Sequence, residues 1–188
     1  QAGEPVYSPQ MIAVGYGKSG GLELGYDSDL DLVFIHNAEL FGQTTGDRVL
    51  DNMTFYTRLG QRVIHLLTSY TSCGRLYEVD MRLRPSGNSG LLVASLEAFA
   101  DYQKKEAWVW EHQALTRTRV LAGDPALHQA FDQCRADILG QQRDKSQLLA
   151  DVIQMREKMR THLDTGKGAD EFDLKQGAGG IIDIEFMV

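Results

Sequence analysis

Apolar positions along the chain repeat with two different periods, and the changes between them mark out the elements. Met11-Ile12-Ala13-Val14 is a continuous apolar run, as expected of a buried strand. Asp29-Leu30-Asp31-Leu32 alternates polar with apolar and leads into the β-rich run Val33-Phe34-Ile35. Over 47–69 the period becomes helical: Val49, Met53, Tyr56, Val63 and Leu67, joined by Leu50, Leu59 and Leu66, predict a long core-facing helix. His65 in that helix has no partner at metal-ligand spacing and reads as a packed or partly exposed histidine. Alternation returns at 75–84, RLYEVDMRLR, predicting a strand with one apolar and one charged face that ends at Pro85. After the turn Gly87-Asn88-Ser89-Gly90, a short strand is expected over 91–93.

Ser95 is an N-cap candidate with Glu97 in the following turn, and 95–123 reads as helical with a break near Lys104-Lys105. In that stretch Trp108 and Trp110 are expected to pack in the core. Arg117 and Arg119, two apart on a helix, would diverge. Asp124-Pro125 is a strong helix start, an N-cap followed by proline at the first position. Helices over 126–139 and 146–163 should follow, with Arg156, Lys158 and Arg160 on a solvated face. Residues 165–180 read as a glycine-rich linker, and 1–10, with Pro5 and Pro9, as an extended lead-in.

The chemistry concentrates at 11–36. Between the first two strands lies a glycine-dense turn, Gly15, Gly17, Gly20 and Gly21, whose backbone N–H groups suit a phosphate. In an extended strand residues i and i+2 face one way, so Asp29 and Asp31 project together while Leu30 and Leu32 point into the core. Two carboxylates this close repel, and alone one of them would have its pKa raised. A divalent cation between them relieves the conflict, and hard oxygen ligands suit Mg²⁺. The expected activity is nucleotidyl transfer. Gly15-Tyr16-Gly17-Lys18-Ser19-Gly20 also fits the GxGxxG dinucleotide fingerprint, but too few residues follow it for a crossover helix. Gly17-Lys18-Ser19 fails as a P-loop because Ile12 stands where the first glycine is required. On the 75–84 strand, Glu78 and Asp80 share the charged face with Arg82 and Arg84. A third carboxylate with two arginines beside the first two would serve metal-dependent phosphoryl chemistry, and alternation alone does not choose between the two acids.

Composition narrows the reading. The 188 residues carry 26 acidic and 19 basic side chains, a net charge of −7. That sign disfavours a nucleic-acid partner, whose binding surface is basic. Cys73 and Cys134 form no disulfide or zinc pattern, and no apolar run reaches membrane-spanning length. A cytoplasmic protein is expected. The chain begins at Gln1 and stops in mid-pattern at Val188, and reads as a piece of a longer protein.

Gly17-Lys18-x-Gly20-Gly21-x-Glu23-Leu24 followed by Ser28-Asp29-x-Asp31-Leu32 resembles the nucleotidyltransferases of the DNA polymerase β superfamily. With VDMRLRPSG at 79–87, the WxWEHQALTRTR segment from Trp108 and the Gly179-Gly180-x-x-Asp183-Ile184-Glu185-Phe186 segment, it is similar to the glutamine synthetase adenylyltransferase family. Members of that family carry two such domains, one removing AMP and one adding it, and this chain resembles the adding one. The resemblance implies an α+β (α/β) fold: a polymerase β-type core with a small mixed sheet flanked by helices, over 1–122. A helical extension over 123–164 and a glycine-rich linker leading into a further helical domain over 165–188 complete it. It also implies adenylylation of a tyrosine of glutamine synthetase from ATP, with two Mg²⁺ ions on Asp29, Asp31 and Asp80. Lys18, Gly20, Gly21, Ser28, Arg82 and Arg84 would bind the nucleotide. A PII-type signalling protein and glutamine are implied as regulators. Two alternatives stand: an adenylyl-removing domain using the same carboxylates, and a non-catalytic module that binds nucleotide or partner proteins.

Overall fold

The computed structural model describes residues 10–39, 41–163 and 173–187. The expected lead-in, apart from Gln10, and residues 165–172 of the expected linker lie outside them.

A mixed sheet organises the fold. β1 (Met11–Gly15) runs antiparallel to β2 (Leu30–His36), with Met11 opposite His36 and Gly15 opposite Leu32. β1 and β2 are apolar nearly throughout because both faces are covered: Val14, Val33 and Ile35 are wholly buried. On its other edge β2 takes two short parallel partners in succession. β5 (Val79–Asp80) pairs at its start and β6 (Val93–Ser95) at its end. β7 (Arg119–Gly123) pairs antiparallel with the free edge of β1. A separate hairpin joins β3 (Tyr70–Thr71) to β4 (Gly74–Arg75).

Helices cover the two faces. α1 (Gly17–Gly20) is a single turn between β1 and β2. α2 (Asn52–Thr68) begins five residues later than its periodicity predicts, because the Asp51 carboxylate caps it by accepting from Thr54 N at 2.7 Å. Its Tyr56 packs with Leu30, Leu32 and Phe34 in one cluster and stacks on His36 at 4.6 Å. Burial drives the His36 imidazole down to about 4, so it stays neutral in the core. α3 (Leu96–Lys105) is capped by Ser95 as expected. α4 (Val109–Thr116), α5 (Pro125–Leu139) and α6 (Lys145–Leu163) follow. Asp124 caps α5 through the amides of Ala126 and Leu127. Leu127, Phe131 and Ile138 of α5 share one buried cluster with Ile12, Val14, Phe99 and Leu115. The boundary expected at 122/123 falls at the end of β7, and α5 beyond it belongs to this same core.

Four expectations need correction. The 75–84 strand shrinks to two residues, since beyond Asp80 the chain turns and Arg84 Nη1 ties that turn to Met81 O at 2.7 Å. The helix expected over 95–123 divides at 106–108 and gives way to β7, whose partner β1 is a hundred residues away in sequence. Trp108 is 58% exposed rather than in the core: as N-cap of α4 it faces α6, with Lys158 Nζ 5.3 Å from its ring centre. Arg156 is buried rather than solvated, and its guanidinium holds Asp183 at 2.5 Å.

Phe131 is fully buried against Phe99, with ring centres 5.7 Å apart. Phe131→Ala should lower unfolding free energy by about 3–5 kcal/mol through lost burial and a residual cavity. Urea denaturation followed by circular dichroism measures it, and a loss under ~1 kcal/mol would place α5 outside the core.

Candidate active site

The centre of the site is set by strand register. Leu30 and Asp31 lie opposite Val79 and Asp80 in a parallel pair, secured by Leu30 N donating to Glu78 O at 2.8 Å. Register partners emerge on the same face, so Asp31 and Asp80 adjoin, and Asp29 precedes Asp31 by the two-residue period. Leu30 and Leu32 are buried, as the alternation predicts. Asp31 is half-buried. Burial pushes its carboxyl above the usual range, and the charges of Asp80 and then Asp29 push it further.

Asp80 goes the other way. Arg82 donates from its amide to Asp80 Oδ1 at 2.8 Å and from Nε to Oδ2 at 2.7 Å, which holds Asp80 below the carboxylate range. Glu78 pairs with Arg75. Of Glu78 and Asp80, the one in register with Asp31 is Asp80. Arg84 spends its guanidinium on the turn and serves the loop's shape, while the Arg82 side chain is 74% exposed and offers a free edge. Among the described residues no three His, Cys, Asp or Glu groups stand ready as a metal cluster.

The glycine turn lies against these carboxylates. Tyr16 N donates to Asp31 O at 2.9 Å, and Gly17, at φ +53°, brings bare backbone to the carboxylate: a Cβ there would sit 3.0 Å from Asp31 Oδ2. Gly20 and Gly21 also shape the turn. Their amides donate within the turn, to Tyr16 O at 3.2 Å and Gly17 O at 2.9 Å. A Cβ on Gly20 would fall 2.1 Å from Arg117 O, so glycine there permits the close passage of α4's end. Lys18 is exposed on α1. Ser28 accepts from Gly25 N at 3.2 Å and lines a polar cleft of about 380 Å³ with Tyr26, Asp29, Arg75, Tyr77 and Glu78.

Sequence reasoning missed the groups that brace this turn. Arg119, in β7, donates from Nη2 to Ser19 O at 2.8 Å. Arg117 pairs with Glu23 just beyond the turn, and its Nη1 reaches Glu185 at 2.5 Å. Local spacing carries no sign of these contacts, because their partners lie 68 to 100 residues apart.

Asp31 and Asp80 thus form a half-buried pair of carboxylates, with Asp29 beside it, against bare glycine backbone. Residues 1–134 match the family model described as glutamate-ammonia ligase adenylyltransferase. The chain belongs to that family. Three of its relatives are named bifunctional glutamine synthetase adenylyltransferase/adenylyl-removing enzyme. That of Pseudomonas syringae pv. tomato is 58% identical over 96% of this chain, that of Pseudomonas putida 56% over 96%, and that of Hahella chejuensis 53% over 99%. The chain spans about a fifth of the length of each. Among the described residues no helix is long and apolar enough to cross a membrane.

In this adenylyltransferase-family chain the Asp31 charge opposes folding when no cation is present. With its folded pKa raised, Asp31 contributes stability below its unfolded pKa and loses it as pH rises through the folded one. At pH 7 without divalent cations, Asp31→Asn should therefore raise the melting temperature, by about 2–4 °C per kcal/mol of repulsion relieved. Thermal melts in EDTA at pH 7 test the sign, and a lower melting temperature would mean that the carboxylate's bonds outweigh its repulsion.

Proposed function

We propose that this chain is the adenylylating domain of a glutamine synthetase adenylyltransferase, built on a polymerase β-type nucleotidyltransferase core. The observation that carries the reading is the pairing of Asp31 with Asp80 on adjacent parallel strands, with Asp29 beside them and the glycine turn above. The donors fit Mg²⁺: they are hard oxygens, and their mutual repulsion marks a site short of positive charge. When bound, as two ions on Asp29, Asp31 and Asp80, Mg²⁺ supplies Lewis-acid polarisation and charge neutralisation for an in-line displacement at phosphorus.

The rest of the reaction falls to the chain. ATP lies with its triphosphate along the glycine turn, near Lys18 and the open edge of Arg82. Ser28 lines the adjoining cleft, where the acceptor approaches. A tyrosine hydroxyl of glutamine synthetase attacks the α-phosphorus, the bond to the β-phosphate oxygen breaks, and pyrophosphate departs. The phenol, with a pKa near ~10, must yield its proton, and a carboxylate of the trio is placed to take it. The arrangement also suits the reverse-sense chemistry of an AMP-removing domain. The resemblance of 76–81 and 110–112 to adding domains favours transfer onto the tyrosine. A PII-type protein and glutamine would regulate the intact enzyme.

Incubation with glutamine synthetase, Mg²⁺ and ATP labelled at the α-phosphate should transfer label to a tyrosine. Label staying in ATP, together with ADP release from adenylylated synthetase and phosphate, would identify the removing domain instead. In calorimetry ATP should bind with Mg²⁺ and lose affinity in EDTA, and equal affinity in both would remove the metal argument.

Asp80→Asn should reduce adenylylation by at least ~10²-fold, the scale of losing one key electrostatic group. Glu78→Gln should be milder, since Glu78 faces Arg75. A dead Glu78→Gln beside a near-normal Asp80→Asn would reassign the third carboxylate.

A further inference from the structure

Residues 173–187 return to the site rather than leading away from it. The segment is folded on itself: Asp173 Oδ1 accepts from the amides of Lys175 and Gln176, and Leu174 O and Lys175 O accept from Ile181 and Ile182. α7 (Ile181–Glu185) closes it. Two clamps then fix it to the body. Asp183 takes Arg156 at 2.5 Å, Arg160 at 3.0 Å and Gly179 N at 2.7 Å. Glu185 takes Arg117, whose second amino group holds Glu23 beside the glycine turn.

The cations near the carboxylates are mostly committed. Arg82 is bound to Asp80, Arg84 to backbone carbonyls, Arg119 to Ser19 O, and Arg117 to two glutamates. Lys175 differs. It is exposed, its ammonium has no hydrogen-bond or ion-pair partner among the described residues, and its carbonyl accepts from Ile182 N in α7, the helix whose Glu185 is held by Arg117 beside the glycine turn. A triphosphate at this centre needs cations as well as the metal, because three carboxylates already oppose it.

We propose that the 173–186 segment is a wall of the nucleotide site, with Lys175 as a phosphate-binding cation and the Glu23–Arg117–Glu185 chain as the clamp that seats it. The proposal rests on the nucleotidyl-transfer reading and adds to it a phosphate ligand outside the glycine turn and the metal strands. Arg117 is then a positioning residue, acting through the segment it holds.

Calorimetry with Mg²⁺-ATP on residues 1–188 tests it. Lys175→Met should bind about tenfold more weakly, the scale of one charge-assisted hydrogen bond, and Lys175→Arg should restore most of the loss. Glu185→Gln should weaken binding by a smaller factor and add little to Lys175→Met, since both act through one contact. No Mg²⁺-ATP binding by the unsubstituted chain would overturn the nucleotidyl-transfer reading itself. Binding by the unsubstituted chain and Lys175→Met alike would leave that reading standing and overturn the role of Lys175. Equal loss in Lys175→Met and Lys175→Arg, with lowered melting temperatures, would make Lys175 a structural residue and overturn it too. A fully additive loss in Glu185→Gln/Lys175→Met would overturn the clamp.

Discussion

Three carboxylates on one side of two neighbouring strands repel one another, and much of the surrounding structure answers that repulsion. Asp80 is neutralised from its own loop by Arg82, two residues on, through bonds to both carboxylate oxygens. Asp31 has no such partner and remains half-buried, its proton held more tightly than an ordinary carboxyl would hold it. Fixing such a group takes rigid backbone. β2 supplies it, paired with β1 on one edge and with β5 and β6 on the other, its Val33 and Ile35 wholly enclosed. The core thus holds the Asp31 carboxylate in a half-buried place beside Asp80 and Asp29.

The glycine turn shows the same dependence in its backbone. Gly17 is bare where Asp31 needs room, and Gly20 is bare where the end of α4 passes. A side chain at Gly17 would meet the carboxylate at a backbone angle that L-residues disfavour, and one at Gly20 would strike a carbonyl oxygen. The turn's shape is therefore tied to the carboxylate and to the end of α4. Arg119 and Arg117 hold that shape from β7 and from the end of α4.

What could be read in the sequence follows from the range of each interaction. Asp29-Leu30-Asp31-Leu32 was legible because alternation is a property of adjacent residues. So were the caps at Ser95 and Asp124, each bonding within three residues of itself. β7 was not, because Arg119-Val120-Leu121-Ala122-Gly123 becomes a strand only by meeting β1, and the helical residues before it suggest continuation. The charged face over 75–84 was legible as a source of carboxylate and arginine. Its length was not, since the turn after Asp80 depends on Arg84 reaching the carbonyl of Met81. Arg156 read as a surface charge until the 173–187 segment supplied its acid.

An acidic chain would have to separate its charges in space to take the nucleotide proposed for it. With a net charge of −7 the molecule as a whole repels a triphosphate. Attraction therefore has to be local, and local attraction requires cations that are not already satisfied. Arginine is poorly suited to staying unsatisfied in this site. Its planar fork finds acceptors wherever carboxylates or carbonyls are dense, and Arg82, Arg84, Arg117 and Arg119 each hold at least one. Lysine, a strongly hydrated point charge on a flexible stem, can remain in water until a phosphate comes. The two exposed lysines at the site, Lys18 on the glycine turn and Lys175 on the returning segment, fit that role. On the proposed reading the arginines mainly build the walls of the site and the two lysines remain open to a phosphate. It also explains why the C-terminal segment is clamped by arginine pairs at Asp183 and Glu185 while its lysine is left open.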